Sequence, residues 1–341
     1  MTALVADGVA TRLSRVVAEI DTRAGDLDAG STDVRHDLAT LGAAGLFTLP
    51  YLPDTVQVIE QVAAVSLAAG FSAWAHRMAI HYLAEADPEL VESLSTGRRP
   101  GVTAMAAGLK YVAGLGQVPI VAEETPGGLR INGPIRWASN VFDDALIVLP
   151  ARTADGRHFV VAVDVGAPGV AVAPSPTLMA LGATGSTSLR LTDVGVGSNR
   201  IISADLAGFV RRIRPTFLLL QTAFCVGVAG TALTEAARSS DPSAGEFDGD
   251  VAELVGAAEL NRRRLYEFSS TPGEVKLSDI IALRLNAANV AVAATRVESA
   301  LAGGRGYQSG TAANRRFREA AFLPVQSPSE GQLRWELKQY E

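Results

Sequence analysis

The chain has 341 residues, 48% of them hydrophobic and 19% charged, with a formal net charge of -6. That length buries a large core and divides into two or three domains. The acidic balance, with no basic tail, argues against nucleic acid as a partner. The lone cysteine, Cys225, rules out an intrachain disulfide and fits a reducing, cytoplasmic setting.

Residues 4–20 carry Leu4, Val5, Val9, Leu13, Val16, Val17 and Ile20 near a helical period, and residues 33–46, 55–69 and 72–83 repeat the pattern, with Gly70 as the break between the last two. Nothing at the N-terminus has a basic segment followed by an apolar core, so no signal peptide is read there. Asp87-Pro88-Glu89 predicts a helix start, with the aspartate as cap and the proline in the first turn. The texture changes near Pro100. Candidate strands follow at 119–123, 129–131, 145–149, 158–163, 169–173 and 188–191, and Asn132-Gly133 and Asp155-Gly156 read as hairpin turns. After Ser203 helices return at 217–237, 251–268 and 277–301, then shorter ones at 312–322 and 330–340, while 241–250 reads as a mobile connection. Cys225 falls in the apolar run 215–230, where a buried, inert thiol is expected. No run of about 18 residues is apolar throughout, so no membrane span is expected.

The order helices, β, helices narrows the choice of fold, and four segments within it resemble the acyl-CoA dehydrogenase family. Val102-Thr103-Ala104-Met105-Ala106-Ala107-Gly108-Leu109-Lys110 is similar to that family's Val-Thr-Glu-Pro-Gly-Ala-Gly-Ser-Asp strand and loop, with Ala104-Met105 for Glu-Pro and Leu109-Lys110 for Ser-Asp. Asn132-Gly133-Pro134-Ile135-Arg136-Trp137-Ala138-Ser139-Asn140 resembles the Asn-Gly-x-Lys-x-Trp-Ile-Thr-Asn element. Gly182-Ala183-Thr184-Gly185-Ser186, leading to Thr192-Asp193-Val194, resembles the Gly-x-Arg-Gly-Ser strand. Gly303-Gly304-Arg305-Gly306-Tyr307 and Phe317-Arg318-Glu319-Ala320 resemble Gly-Gly-x-Gly-Tyr and Tyr-Arg-Asp-Ala.

The resemblance implies an α+β fold of the acyl-CoA dehydrogenase kind: an N-terminal helical domain (1–98), a middle antiparallel, barrel-like β domain (99–203) and a C-terminal four-helix bundle (204–341). It implies FAD as cofactor, an acyl-CoA or other acyl thioester as substrate, an electron acceptor, and a homodimer or tetramer, or a heteromer with a paralogue. It assigns Thr103, Met105, Gly108, Trp137, Ser139, Gly303 and Gly304 to the cofactor, with Trp137 over one edge of the isoalloxazine and Ser139 near its N5. Leu109 and Arg318 fall at substrate positions. The family's Arg-x-x-Phe-Gly segment has no counterpart in 237–243, and Ala300 stands where its glutamine precedes Gly-Gly.

A dehydrogenase of this kind abstracts an α-proton with a carboxylate opposite the flavin. Counting from Arg318, that position is Ser327-Pro328, and a Glu-Gly pair comes three residues later at Glu330-Gly331. Either the loop 323–329 carries an insertion and Glu330 is the base, or the position has lost its carboxylate; Glu330 also reads as a first-turn residue behind a Ser329 cap. A monooxygenase on the same fold, which needs no such carboxylate, and a non-catalytic subunit of a heteromer are the alternatives. His76 and His81 are five apart and share no helix face, so no metal site is read there. Ser186 has no nucleophile-elbow context.

Overall fold

The computed structural model describes residues 8–84 and 86–340, so residues 4–7 of the first expected helix lie outside the described residues. Helix α1 (Val9–Ala29) buries Leu13, Val16, Ile20, Ala24 and Leu27 along one stripe and ends at Gly30, which takes the left-handed conformation at φ 70°. Helices α2 (Arg35–Ala43), α3 (Leu52–Val65), α4 (Leu67–Leu83) and α5 (Pro88–Ser95) follow. The break between α3 and α4 falls at Ser66, whose side chain accepts from the Ala69 amide, and not at Gly70. Gly70 lies inside α4 because a Cβ there would come within 2.6 Å of Ala63 Cβ; the glycine lets the two helices touch. Asp87 caps α5 as expected, its Oδ1 accepting from the Leu90 amide at 3.0 Å.

The middle of the chain forms one eight-stranded sheet. Its strands are β1 (Gly101–Thr103), β2 (Val121–Thr125), β3 (Gly128–Ala138), β4 (Leu146–Thr153), β5 (His158–Asp164), β6 (Val170–Val172), β7 (Thr187–Gly197) and β8 (Ile201–Ser203). The order is β6-β7-β3-β2-β4-β5-β8, with β1 also on β4. The expectation of an antiparallel sheet needs correction, since β1 and β2 both run parallel to β4. Asp155-Gly156 turns β4 into β5 as predicted, whereas Asn132-Gly133 is not a turn. Both residues lie inside β3, at a bulge against β7. Gly133 is required there: its φ is 139°, and a Cβ would meet the Pro119 carbonyl oxygen at 2.7 Å. The Asn132 side chain accepts from the Asp193 amide at 2.8 Å and holds the bulge to β7.

Between β1 and β2 the chain forms a helix, α6 (Ala106–Val112), where the resemblance implied a loop. The C-terminal part comprises α7 (Leu206–Ala237), α8 (Asp248–Ser270), α9 (Leu277–Leu301), α10 (Gly304–Tyr307), α11 (Ala312–Ala320) and α12 (Glu330–Leu337). Helix α7 starts eleven residues before the expected position, 206 against 217, capped by Asp205, and passes through Pro215. Residues 241–250 are not a free connection: 244–247 form a 3-10 turn and Asp248 opens α8. Helix α7 is the centre of the bundle and packs on α3, α4, α8 and α9. Its Gly227 meets α3 so closely that a Cβ would lie 2.1 Å from the Glu60 carbonyl oxygen. Contrary to the sequence expectation, α7 and α9 are long and apolar enough to cross a membrane; 83% of the apolar window of α7 is buried in the protein, which accounts for its composition.

Cys225, at the middle of α7, is buried, and burial pushes its thiol pKa up, away from nucleophilic use. His76 pins α4 to the sheet. Its Nδ1 accepts from the Gly101 amide at 2.9 Å, so Nε2 carries the proton it donates to the Leu94 carbonyl at 3.0 Å. Burial lowers its pKa to about 4 and keeps the ring neutral.

Candidate functional site

A second bulge shapes the site. Pairing between β3 and β7 jumps from Ile135 to Ala138, leaving Arg136 and Trp137 outside the ladder and both exposed. Trp137 is 59% exposed, which is exceptional for so large an aromatic, and it has no ring partner among the described residues. Ser139 is the first residue beyond β3 and is half-buried. Asn140 then fixes the strand end, its Nδ2 donating to the Gly101 carbonyl at 3.1 Å and to the Ser72 carbonyl at 2.9 Å. It holds a φ of 62°, a conformation asparagine tolerates better than most residues. This places the end of β3 against the start of β1.

The half-buried Ser139 hydroxyl opens a chain of hydroxyls. Ser139 Oγ lies 2.6 Å from Ser186 Oγ, and Ser186 Oγ lies 2.7 Å from Thr184 Oγ1. Thr184 Oγ1 in turn donates to the Leu181 carbonyl at 2.8 Å. Thr184 and Ser186 stood in the third resembling segment, but neither was given a site role from sequence. Their role depends on 139 and 184–186 lying side by side, which the backbone secures through the Asn140 amide donating to the Thr184 carbonyl at 2.7 Å. An open cleft of about 530 Å³ adjoins this segment, lined by residues including Ser31, Asp33, Phe142, Ala183 and Gly185. It contains neither Trp137 nor Ser139.

The other predicted site residues are placed as follows. Thr103 ends β1, its hydroxyl bonded to the Tyr82 hydroxyl at 2.9 Å. Met105 and Leu109 are buried, Leu109 completely, so its side chain faces packed protein and not a substrate channel. The space beside Gly108 is filled: a Cβ there would meet Leu206 at 3.2 Å, Met105 at 3.3 Å and Pro150 at 3.4 Å. Gly303 and Gly304 are exposed, and nothing lies within 4 Å of a Cβ built on either. Arg318 is committed to the protein. It pairs with both Asp28 carboxylate oxygens and donates to Asn314 Oδ1 at 2.8 Å and the Met179 carbonyl at 3.1 Å. It therefore clamps α1, α11 and the loop that leads to Thr184 and Ser186.

Comparison with solved structures decides the architecture. Butyryl-CoA dehydrogenase from Megasphaera elsdenii superposes with a TM-score of 0.86 at 14% identity, over 100% of this chain and 98% of that one. The chain has the acyl-CoA dehydrogenase fold. Two other structures sharing this fold carry different descriptions. The FAD complex of PigA matches at TM-score 0.82 and 17% identity, over 96% of this chain and 97% of that one. Dibenzothiophene monooxygenase (TdsC) from Paenibacillus sp. A11-2 matches at 0.74 and 18%, over 97% and 96%. No family sequence model and no curated protein matches the chain.

On the acyl-CoA dehydrogenase fold, the segment after α11 is where the resemblance puts the proton-abstracting carboxylate. Here Ser327 occupies the counted position, with its carbonyl accepting from Gln221 Nε2 at 2.9 Å. Beside it Arg284, only 1% exposed, donates to Gln221 Oε1 at 3.3 Å, to the Leu323 carbonyl at 3.3 Å and to Gln326 Oε1 at 3.0 Å. The room between α4, α7 and this segment is taken up by aromatic rings. Phe71 lies 5.0 Å from Phe322 and 5.4 Å from Trp74, and Trp74 lies 4.9 Å from Phe217. Glu330 opens α12 behind the Ser329 cap, and its carboxylate pairs with Arg334 one turn on at 2.7 Å.

Proposed function

We propose that the protein is an FAD-dependent oxidoreductase, with α,β-dehydrogenation of an acyl thioester as its leading activity. The observation that carries the flavin reading is the bulge in β3 that leaves Trp137 exposed to solvent two residues before the half-buried Ser139 hydroxyl. Trp137 offers a flat surface for the ring system, Ser139 a polar atom for its edge, and Gly303 and Gly304 open backbone that a diphosphate can approach. Thr103 lies at the neighbouring strand end. FAD, when bound, supplies a two-electron acceptor. The described surroundings of Gly108, Leu109 and Arg318 do not favour ligand contact, so these three enter as packing and clamping residues.

Trp137→Ala tests the flavin slot. Loss of an aromatic surface worth about 2 kcal/mol corresponds to roughly 30-fold weaker binding of FAD. Because the side chain is largely exposed, the melting temperature should stay within the change expected of about 0.5 kcal/mol. Titration of FAD followed by fluorescence reads the first quantity and a thermal scan the second. Unchanged affinity would remove the indole from the site.

Glu330 is the carboxylate that this reading puts forward as base. Its pair with Arg334 is an i,i+4 contact at the protein surface, so swinging free of it costs only about 0.3–0.5 kcal/mol. Glu330→Gln is expected to abolish the anaerobic bleaching of bound flavin by an acyl-CoA while leaving stability nearly unchanged. Bleaching at the original rate excludes Glu330. A second reading, flavin-dependent monooxygenation on the same fold, is favoured by Ser327 at the counted base position and by Arg284 beside it. Oxygen consumption with a supplied flavin reductase, and no bleaching by acyl-CoA, would select it.

A further inference from the structure

The hydroxyl chain beside Trp137 has a direction. A serine or threonine hydroxyl has one proton to donate. The Leu181 carbonyl can only accept, so at 2.8 Å the proton between it and Thr184 Oγ1 belongs to Thr184. Thr184 then has none left for Ser186, and the 2.7 Å contact between them is Ser186 donating to Thr184. Ser186 has spent its own proton, so the 2.6 Å contact is Ser139 donating to Ser186. What Ser139 has left to offer a ligand is lone pairs only.

We infer that Ser139 is set as a hydrogen-bond acceptor and that the site prefers two-electron-reduced FAD to oxidised FAD. This rests on the flavin reading above and deepens it. In the oxidised ring N5 is an acceptor; in the reduced ring it carries a hydrogen and donates. An acceptor fixed by a relay matches the reduced form. Oxidised FAD faces lone pair against lone pair unless Ser139 gives up its bond to Ser186, which leaves the half-buried Ser186 oxygen short of a donor. Such a preference serves either chemistry: it draws hydride from a substrate onto the ring, or it retains reduced flavin for reaction with oxygen.

The test is a pair of titrations of the protein under anaerobic conditions, one with FAD and one with dithionite-reduced FAD. Reduced FAD should bind at least about tenfold more tightly, which for a two-electron couple raises the potential of bound flavin by about 30 mV. Ser186→Ala removes the acceptor that holds the Ser139 proton inward, frees Ser139 to donate, and should collapse that ratio to near one. Thr184→Val, which lets Ser186 turn its proton toward Ser139, should do the same. Equal binding of the two forms by the original chain, or an unchanged ratio in both variants, overturns the relay while leaving the flavin site standing. Binding of neither form overturns the flavin reading and the relay with it.

Discussion

Glu336→Ala is expected to cost about 3–5 kcal/mol, because it leaves Arg214 as an unpaired cation in the protein interior. The Arg214 side chain is only 3% exposed and its Nη2 donates to Glu336 across the α7–α12 contact. Arg214 Nε already lacks a partner, so no second acceptor is at hand to share the load. Gln332 donates to the other Glu336 oxygen at 2.8 Å, and would lose its acceptor as well. For a chain of this size the loss corresponds to a melting temperature lower by roughly 5 °C. Because α12 is a short helix of eight residues, part of the effect should take the form of local release. Hydrogen exchange should therefore quicken in α12 before it does in α7. Replacing both partners, Arg214→Met with Glu336→Leu, should restore most of the stability, since the buried charges then vanish together. A Glu336→Ala protein as stable as the original, with unchanged exchange in α12, would mean that the pair is not closed in solution. The pair bears on function because α12 begins at Glu330 and follows the Ser327 segment.

The helix–sheet–helix order was legible because it depends on local periodicity. The stripe Leu13, Val16, Ile20 and the Asp87 cap are written in neighbouring residues and need no distant partner. Errors came where a distant contact decides. Asn132-Gly133 has the composition of a hairpin turn, but Gly133 is glycine because the Pro119 carbonyl crowds it, and that contact is visible only in the folded sheet. The same holds for Gly70, a helix breaker by propensity that is kept in α4 by the closeness of Ala63. Pro215 should have delayed α7, yet the helix carries through it because Asp205 caps an earlier start and burial outweighs one lost hydrogen bond.

The candidate site divides in the same way. Trp137 and Ser139 became candidates through a contiguous motif. Ser186 and Thr184 were missed because 47 residues separate Ser139 from Ser186 and nothing local marks them as partners. Arg318 shows the converse. Its motif pointed to substrate, but its partner Asp28 lies 290 residues away in α1, and a half-buried guanidinium that already donates to carboxylate, amide and carbonyl is committed to the protein. The α6 helix, with Leu206 lying against Gly108, replaces a loop that a ligand could enter with packed protein.

Stability should also depend on pH through Glu319. This carboxylate is buried at the start of α4, where its Oε2 accepts from the Leu67 amide at 3.4 Å. Burial raises its pKa to about 7, against the opposing pull of Arg315 and the α4 amides and with a smaller push from Asp28. The folded state thus holds a proton that the unfolded chain releases near 4.5. The contribution is fully present below 4.5 and is lost as pH rises through about 7, a swing of about 3 kcal/mol. His76 and His81 act oppositely. Burial lowers both to about 4, so each destabilises the fold as pH drops from 6.5 toward that value. Glu319→Gln separates the two effects, because the histidine contributions cancel between variant and original while glutamine keeps an acceptor for Leu67. Urea midpoints taken at pH 5, 6, 7 and 8 should show the variant gaining on the original with each step upward, by about 2.5 kcal/mol over the range. Parallel curves would mean that Glu319 is ionised in the folded protein at every pH, and that the α4 amides and Arg315 outweigh its burial.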